Sequence, residues 1–470
     1  MLVPRALGVA ALASLLAACG GDVTRLPATD AAPDLPAPDA GDAAAPPVPA
    51  RPTYWAHVAP ILQQHCAQCH VAGGLGPFPL TTYDDARTHA DLVAAAVTNG
   101  TMPPWMPSSS CRPLQHVRVL PADDLTTIQR WVATGTAEGD RSAFVARPGA
   151  PAMLPERASL TVQPAETYAP RPSAIDDYHC FVMDPELTEA RDLVGVRFVP
   201  GEPRIVHHVI VYEIKAAGLA SLQQLDDAEA GPGYTCFGGP RVSGQRNVQF
   251  VAGWAPGGPP MRMPTGTGIR LSPGSRLVMQ VHYNQANGRG LSDRTRTELF
   301  FSESPVPRVA YVIPLAQTDF TVPAGARDTT VEASVRLRQY GVPLNATVYG
   351  LAPHMHTLGT SVSVDVTRAG ATGSECLVDI PRWDFHWQQF YLFEEPLRVT
   401  PDDTIRLRCR YDNTAARQPV IDGVPQQPRE VHWGEGTFDE MCINFFYATV
   451  PRRLRNGGAG AARLAYDRAP

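Results

Sequence analysis

Apolar positions recur along the chain with two different periods. Near the start, Tyr54, Val58, Ile61 and Leu62 are spaced as on one face of a helix. Asp84 to Thr98 reads as a second helix, with Asp84 or Asp85 near its N-terminal end. Ala122 to Thr134 reads as a third: Leu125, Ile128, Trp131 and Val132 make its apolar stripe, and Gly135 ends it. From residue 155 onward the pattern changes to short β-type runs separated by Pro and Gly. They are Leu193–Val199, Ile205–Ile214, Arg276–Tyr283, Ala346–Tyr349, Ser361–Thr367 and Thr404–Tyr411. Regular short strands over about 300 residues predict two packed β-sandwiches, divided near Ser304–Arg308. Two stretches follow neither period. Ala6 to Ala18 is an apolar run after Arg5, too short to span a membrane. Residues 22–51 are mostly Ala, Pro and Asp and cannot bury a core, so they read as an extended tether.

Composition narrows the function classes. A hydrophobic content of 44% over 470 residues supports sizeable cores. The net charge of −6 excludes a nucleic-acid partner bound through a broad basic surface. The 47 prolines and 39 glycines suit turn-rich β architecture. Nine cysteines is an odd number, so at least one has a role outside a disulfide framework.

The N-terminal run reads as an export signal. Its last residues, Leu16-Ala17-Ala18-Cys19, resemble the bacterial lipoprotein cleavage box. That resemblance implies a signal peptide over 1–19, with Cys19 carrying lipid and anchoring the chain to a membrane. Gly20 rather than Asp follows, which favours the outer membrane. The expectation is an exported lipoprotein, at the outer membrane or the periplasmic face of the envelope, in an oxidising compartment.

Cys66-Ala67-Gln68-Cys69-His70 is a C-x-x-C-H motif, the attachment pattern of c-type haem. The thiols of Cys66 and Cys69 would form thioethers to the porphyrin, and His70 would ligate iron. A thioredoxin-like redox pair fits less well, because helical spacing rather than a strand leads into the motif. Met102 and Met106, in Thr101-Met102-Pro103-Pro104-Trp105-Met106-Pro107, are both candidates for the second axial ligand. Cytochromes c similar to this stretch use a methionine just before prolines, which favours Met102 over Met106. An all-α, cytochrome c-like domain over residues 52–145, following a linker over 20–51, is expected.

Three features among the later strands can hold metal. His207 and His208 are adjacent, so in a regular strand they point to opposite faces and could share one metal only at a bulge or twisted end. Gln280 and His282 share one strand face. His354 and His356 are two apart, which puts both on one strand face as an easy chelate. Farther on, Met441 supplies a thioether, a ligand that selects for Cu(I). The order His207-His208, Gln280-Val281-His282-Tyr283, His354-Met355-His356, Glu440-Met441-Cys442 resembles the copper type II, ascorbate-dependent monooxygenases. So does the segment from Ala252 to Pro264 between the first two. The likeness covers roughly residues 170–450.

The resemblance implies two β-sandwich domains, 155–305 and 306–452, before a tail at 453–470. It implies two copper ions. His207, His208 and His282 would form the site that stores and delivers an electron. His354, His356 and Met441 would form the catalytic site that binds dioxygen. His179, His386 and His432 have no counterpart and are assigned to structure or surface. It also implies disulfides Cys180–Cys236 and Cys409–Cys442; Cys111 and Cys376 remain, as two free thiols or as a bridge between domains. The peptide-processing branch has an Arg where this chain has Ala352, and an Asn where it has Ile443, which argues against peptide amidation. The expected activity is therefore hydroxylation of a C–H bond on a small organic substrate with dioxygen. Electrons would come through the attached haem or from an external one-electron reductant. The rival expectation is a haem and copper electron-transfer lipoprotein, or a copper-binding one, without oxygenase turnover.

Overall fold

The computed structural model describes residues 48–452 except 73, 75, 148–152, 174–175, 237–238, 256–257, 286–287, 343–345, 422–423, 435 and 437. The apolar run expected to be an export signal (with Cys19), most of residues 22–51 and residues 453–470 lie outside the described residues.

The N-terminal part is helical. A wide turn over Tyr54–Val58 runs into the helix Ala59–His65, which ends at Cys66. Tyr54, Val58, Ile61 and Leu62 pack with Ile128 and Trp131 of the helix Ala122–Ala133. The Trp131 indole donates to the Ala137 carbonyl at 3.0 Å, so its polar edge is satisfied inside the core. The predicted helix over 84–98 is two helices, Tyr83–Thr88 and Ala90–Thr98. Thr82 and Asp85 form a reciprocal capping box at the first. His89 breaks the pair with a non-helical backbone, φ −107°, and its ring stacks on Phe78 at 3.8 Å.

The remainder is mostly β. A nine-stranded sheet runs in the order 160–162, 296–301, 191–199, 267–271, 308–317, 442–451, 346–354 and 391–399, with 261–262 paired to 191–199. A five-stranded sheet runs in the order 234–235, 176–183, 276–284, 206–214 and 248–254. Its Phe181, Val209 and Val281 pack on Val196, Ile269 and Leu299 of the large sheet. A four-stranded sheet contains 329–336, 359–367, 374–380 and 404–411. Its Val362, Val364 and Leu407 pack on Leu351, Phe393 and Phe446. Each layer pair follows from alternating apolar positions that face inward. The two layer pairs share one continuous sheet, because 308–310 pairs in parallel with 267–269.

The segment between the helices travels. Residues 99–118 leave the helical core and lie along the edge of strand 391–399. Leu114 bridges Phe393, the Ser108 N–H donates to the Asp379 carbonyl, and Arg112 donates to the Glu395 carbonyl. Trp105 meets Tyr391 edge-on at 5.5 Å. A disulfide joins Cys111 to Cys376, and two more join Cys180 to Cys236 and Cys409 to Cys442. The alternative left open for Cys111 and Cys376 thus resolves to a bridge.

Candidate metal centres

His207, His208 and His282 come together on the five-stranded sheet. Strand 206–214 pairs with 276–284, and its register shifts between Val206 and His208. The extra residue turns adjacent imidazoles toward one point, as the sequence required for a shared ion. One nitrogen from each of the three rings lies within 4.8 Å of the others. His282 Nδ1 lies 3.3 Å from His208 Nδ1, and its Nε2 lies 2.9 Å from an Asp176 oxygen. Asp176 thereby fixes the ring and leaves Nδ1 for a ligand. Tyr178 stacks on the His282 ring at 4.1 Å. Burial, and then the neighbouring imidazoles, push the His207 pKa down to about 3 and hold His208 well below the ordinary value. Neutral imidazole is the ligand form. His207 Nδ1 is buried with no hydrogen-bond partner. An orphaned buried nitrogen costs about 1–3 kcal/mol, which a bound ion would offset. The residues fit a metal.

The second set is built differently. Strand 346–354 pairs with 442–451, placing His354 opposite Ile443. The strand ends at His354, so His356 lies beyond it, not on the shared strand face the spacing predicted. Glu440 makes up the difference. Its buried carboxylate accepts the backbone N–H groups of His356 at 2.9 Å and Leu358 at 2.7 Å. Burial pushes the Glu440 pKa up to about 8 against the pull of those N–H groups. The rings of His354 and His356 sit 5.0 Å apart. His356 Nδ1 lies 3.1 Å from the Asp439 carbonyl, and His354 Nδ1 meets the Gln388 amide oxygen, so each ring has Nε2 to offer. Burial lowers both pKa values, that of His356 to about 3. Met441 lines the cavity that these two rings line. Its carbonyl accepts from the Tyr411 hydroxyl at 2.8 Å, and the next residue, Cys442, is tied to Cys409. Two imidazoles and a thioether suit copper and leave open positions.

Both sets open into one cleft of about 680 Å³. Phe385 lies between them, stacked on His207 at 5.5 Å and edge-on to His356 at 5.7 Å. Ala352 and Ile443 leave the wall beside His354 apolar, and Phe250 stacks on Phe445 at 5.7 Å. No sequence motif marks Phe385, and the Glu440-Met441-Cys442 motif gives no role to Glu440 itself. Of the histidines assigned to structure or surface, His179 stacks on Tyr168 and His432 lies beside Thr321, but His386 lines the cleft, paired with Asp384.

In the helical part, Cys66 and Cys69 make no disulfide. Burial pushes the Cys66 thiol up to about 12 and raises that of Cys69. His70 Nδ1 lies 2.9 Å from the Phe78 carbonyl, which leaves Nε2 as the free ligand atom. A side chain at Gly76 would come within 2.6 Å of the His70 ring. Met102 is partly exposed, whereas Met106 packs against the far sandwich and its Sδ accepts the Asp384 N–H at 3.2 Å.

Comparison with known proteins covers the β part of the chain that carries both ligand sets. Residues 165–290 match the family described as copper type II ascorbate-dependent monooxygenase, N-terminal domain, and 309–454 match its C-terminal domain. The tyramine beta-hydroxylase of Caenorhabditis briggsae is 22% identical over 284 residues, covering 57% of this chain and 42% of that protein. The human DBH-like monooxygenase protein 1 is 24% identical over 299 residues, covering 59% and 45%. The peptidylglycine alpha-amidating monooxygenase of Rattus norvegicus is 23% identical over 284 residues, covering 58% and 25%. The chain therefore spans less than half the length of these relatives. Among solved structures, the infectious bursal disease virus VP2 subviral particle aligns at 9% identity and a TM-score of 0.19, covering 65% of this chain and 73% of that one, too low to bear on fold or function.

Proposed function

The chain belongs to the copper type II ascorbate-dependent monooxygenase family, both of whose domains it carries, and on that premise we propose that it hydroxylates a C–H bond of a small organic substrate. One oxygen atom of dioxygen enters the product: R–H, dioxygen, two electrons and two protons give R–OH and water. The observation that carries this reading is that two ligand sets of different chemistry line one cleft. His207, His208 and His282 would hold one copper ion, and His354, His356 and Met441 the other. Bound copper would supply one-electron storage at the first set and oxygen activation at the second. The protein's own part is positioning. Asp176 and the Asp439 carbonyl orient the rings, and Glu440 holds His356 beside Met441. Apolar walls limit water in the cleft. With Ala352 and Ile443 beside His354, the wall there is apolar, which supports a substrate not held by a carboxylate at that position.

The reading extends to the helical region. Cys66 and Cys69 would attach haem c, with His70 and Met102 as axial ligands, and the haem would supply a one-electron carrier. The committed Nδ1 of His70, the unpaired thiols and the engagement of Met106 elsewhere support this assignment. Electrons would then reach the copper sites through this domain or from an external one-electron reductant. Cys19 would carry lipid and tether the exported chain to a membrane, at the outer membrane or the periplasmic face of the envelope.

Metal and haem analysis of the purified chain, followed by oxygen uptake with a panel of substrates under reducing conditions, tests the proposal. Copper, covalent haem and substrate-dependent uptake are expected. Met441→Ala should abolish product and leave haem redox untouched. Bound copper with no substrate-dependent uptake would favour the electron-transfer alternative.

A further inference from the structure

Arg118 stands at the end of the travelling segment, where the helical region meets the cleft. It lines the same cavity as His207, His354 and Met441. It is half-buried, and among the described residues its guanidinium has no hydrogen-bond or ion-pair partner. Arg112, in the same segment, is by contrast paired with Glu375. Arg262, also at the cleft, is exposed and solvated. On its other side Arg118 lies near Cys69 and Tyr391. Burial lowers its pKa, yet a guanidinium stays charged throughout the working range. A half-buried fork of N–H donors with no acceptor is costly unless a ligand completes it, and its planar geometry matches a carboxylate.

We propose that Arg118 is a carboxylate-binding residue at the seam between the helical region and the metal-ligand cleft. Two sources present that chemistry at this position. One is the carboxylate of a substrate lying in the cleft, where the wall at Ala352 and Ile443 offers no cation. The other is a propionate of a haem attached at Cys66 and Cys69, a source that rests on the haem reading above. In either case the anchor comes from the 99–118 segment, outside the two matched domains.

The test uses the copper-loaded full chain with Arg118→Gln and Arg118→Lys. Calorimetry with phenylacetate and its neutral analogue phenylacetamide reads the cleft; spectroelectrochemical titration reads the haem potential. If the substrate source is right, Arg118→Gln weakens phenylacetate binding by about tenfold or more and leaves phenylacetamide unchanged. If the propionate source is right, the same variant shifts the haem potential downward, because a cation beside the haem is lost, and leaves both ligands unchanged. Arg118→Lys should retain part of either effect, and thermal melts report whether the variants fold. Unchanged phenylacetate binding together with an unchanged potential overturns the proposal. A chain without covalent haem would defeat the haem reading separately, and the calorimetric result would still decide the cleft source.

Discussion

The two ligand sets are assembled by different means. His207, His208 and His282 sit within paired strands, so the backbone ladder and one bulge set their geometry. His354, His356 and Met441 sit where strands end, and their geometry depends on Glu440, Gln388, Tyr411 and a disulfide. In the first set, neighbouring side chains tune a site the fold has already made. In the second, neighbouring side chains make the site. Substitutions around the first should change metal affinity more than stability, and around the second should change both.

The largest effect is expected at Glu440. Glu440→Ala leaves two buried N–H groups without acceptors, at about 1–3 kcal/mol each, so unfolding free energy should fall by roughly 2–6 kcal/mol in chemical denaturation. Loss of copper from the His354 side should accompany it. Removing the Cys409–Cys442 bridge by double Ala substitution comes next. A loop of 33 residues predicts a loss of about 3–4 kcal/mol, with Met441 freed in the same step. A stable double variant that keeps both coppers would break the contrast. Asp176→Asn should do the reverse: copper affinity at the His282 set falls by about 10–100-fold in a chelator competition, while the melting temperature barely moves.

The smallest expected effect is a pH dependence at His179, which stacks on Tyr168 and meets the Pro232 carbonyl. Burial lowers its pKa, partly opposed by the Pro232 carbonyl. The unfolded chain therefore binds the extra proton first, and stability should decline as pH falls below 6.5. His179→Gln should flatten that part of the stability profile; an unchanged slope would assign it to other groups.

The sequence carried more of the first set than of the second. Adjacent histidines in a strand demand a bulge if they are to share an ion, and strand 206–214 has one at that position. The two-residue spacing of His354 and His356 predicted a strand face, but nothing local said that the strand would stop at His354 and hand His356 to a buried carboxylate 84 residues away. Helical periodicity located the helices on either side of the C-x-x-C-H motif. It missed the break at His89, which a ring stack from Phe78 accompanies. The course of residues 99–118 was invisible for the same reason. Its hydrogen bonds run to strands nearly 300 residues on, and its apolar residues follow no period of their own. Phe385 and Arg118 are single residues in irregular segments, where neither spacing nor composition marks a role.

The central claim is that two ligand sets of unlike chemistry hold copper in one cleft. X-ray absorption at the copper edge, on the full chain titrated anaerobically with Cu(I), tests it directly. Two copper ions per chain are predicted, with one sulfur neighbour shared over the pair, and Met441→Ala should remove that sulfur signal while the imidazole signal of the other set persists. A single copper per chain, or a sulfur signal that survives Met441→Ala, would contradict the account.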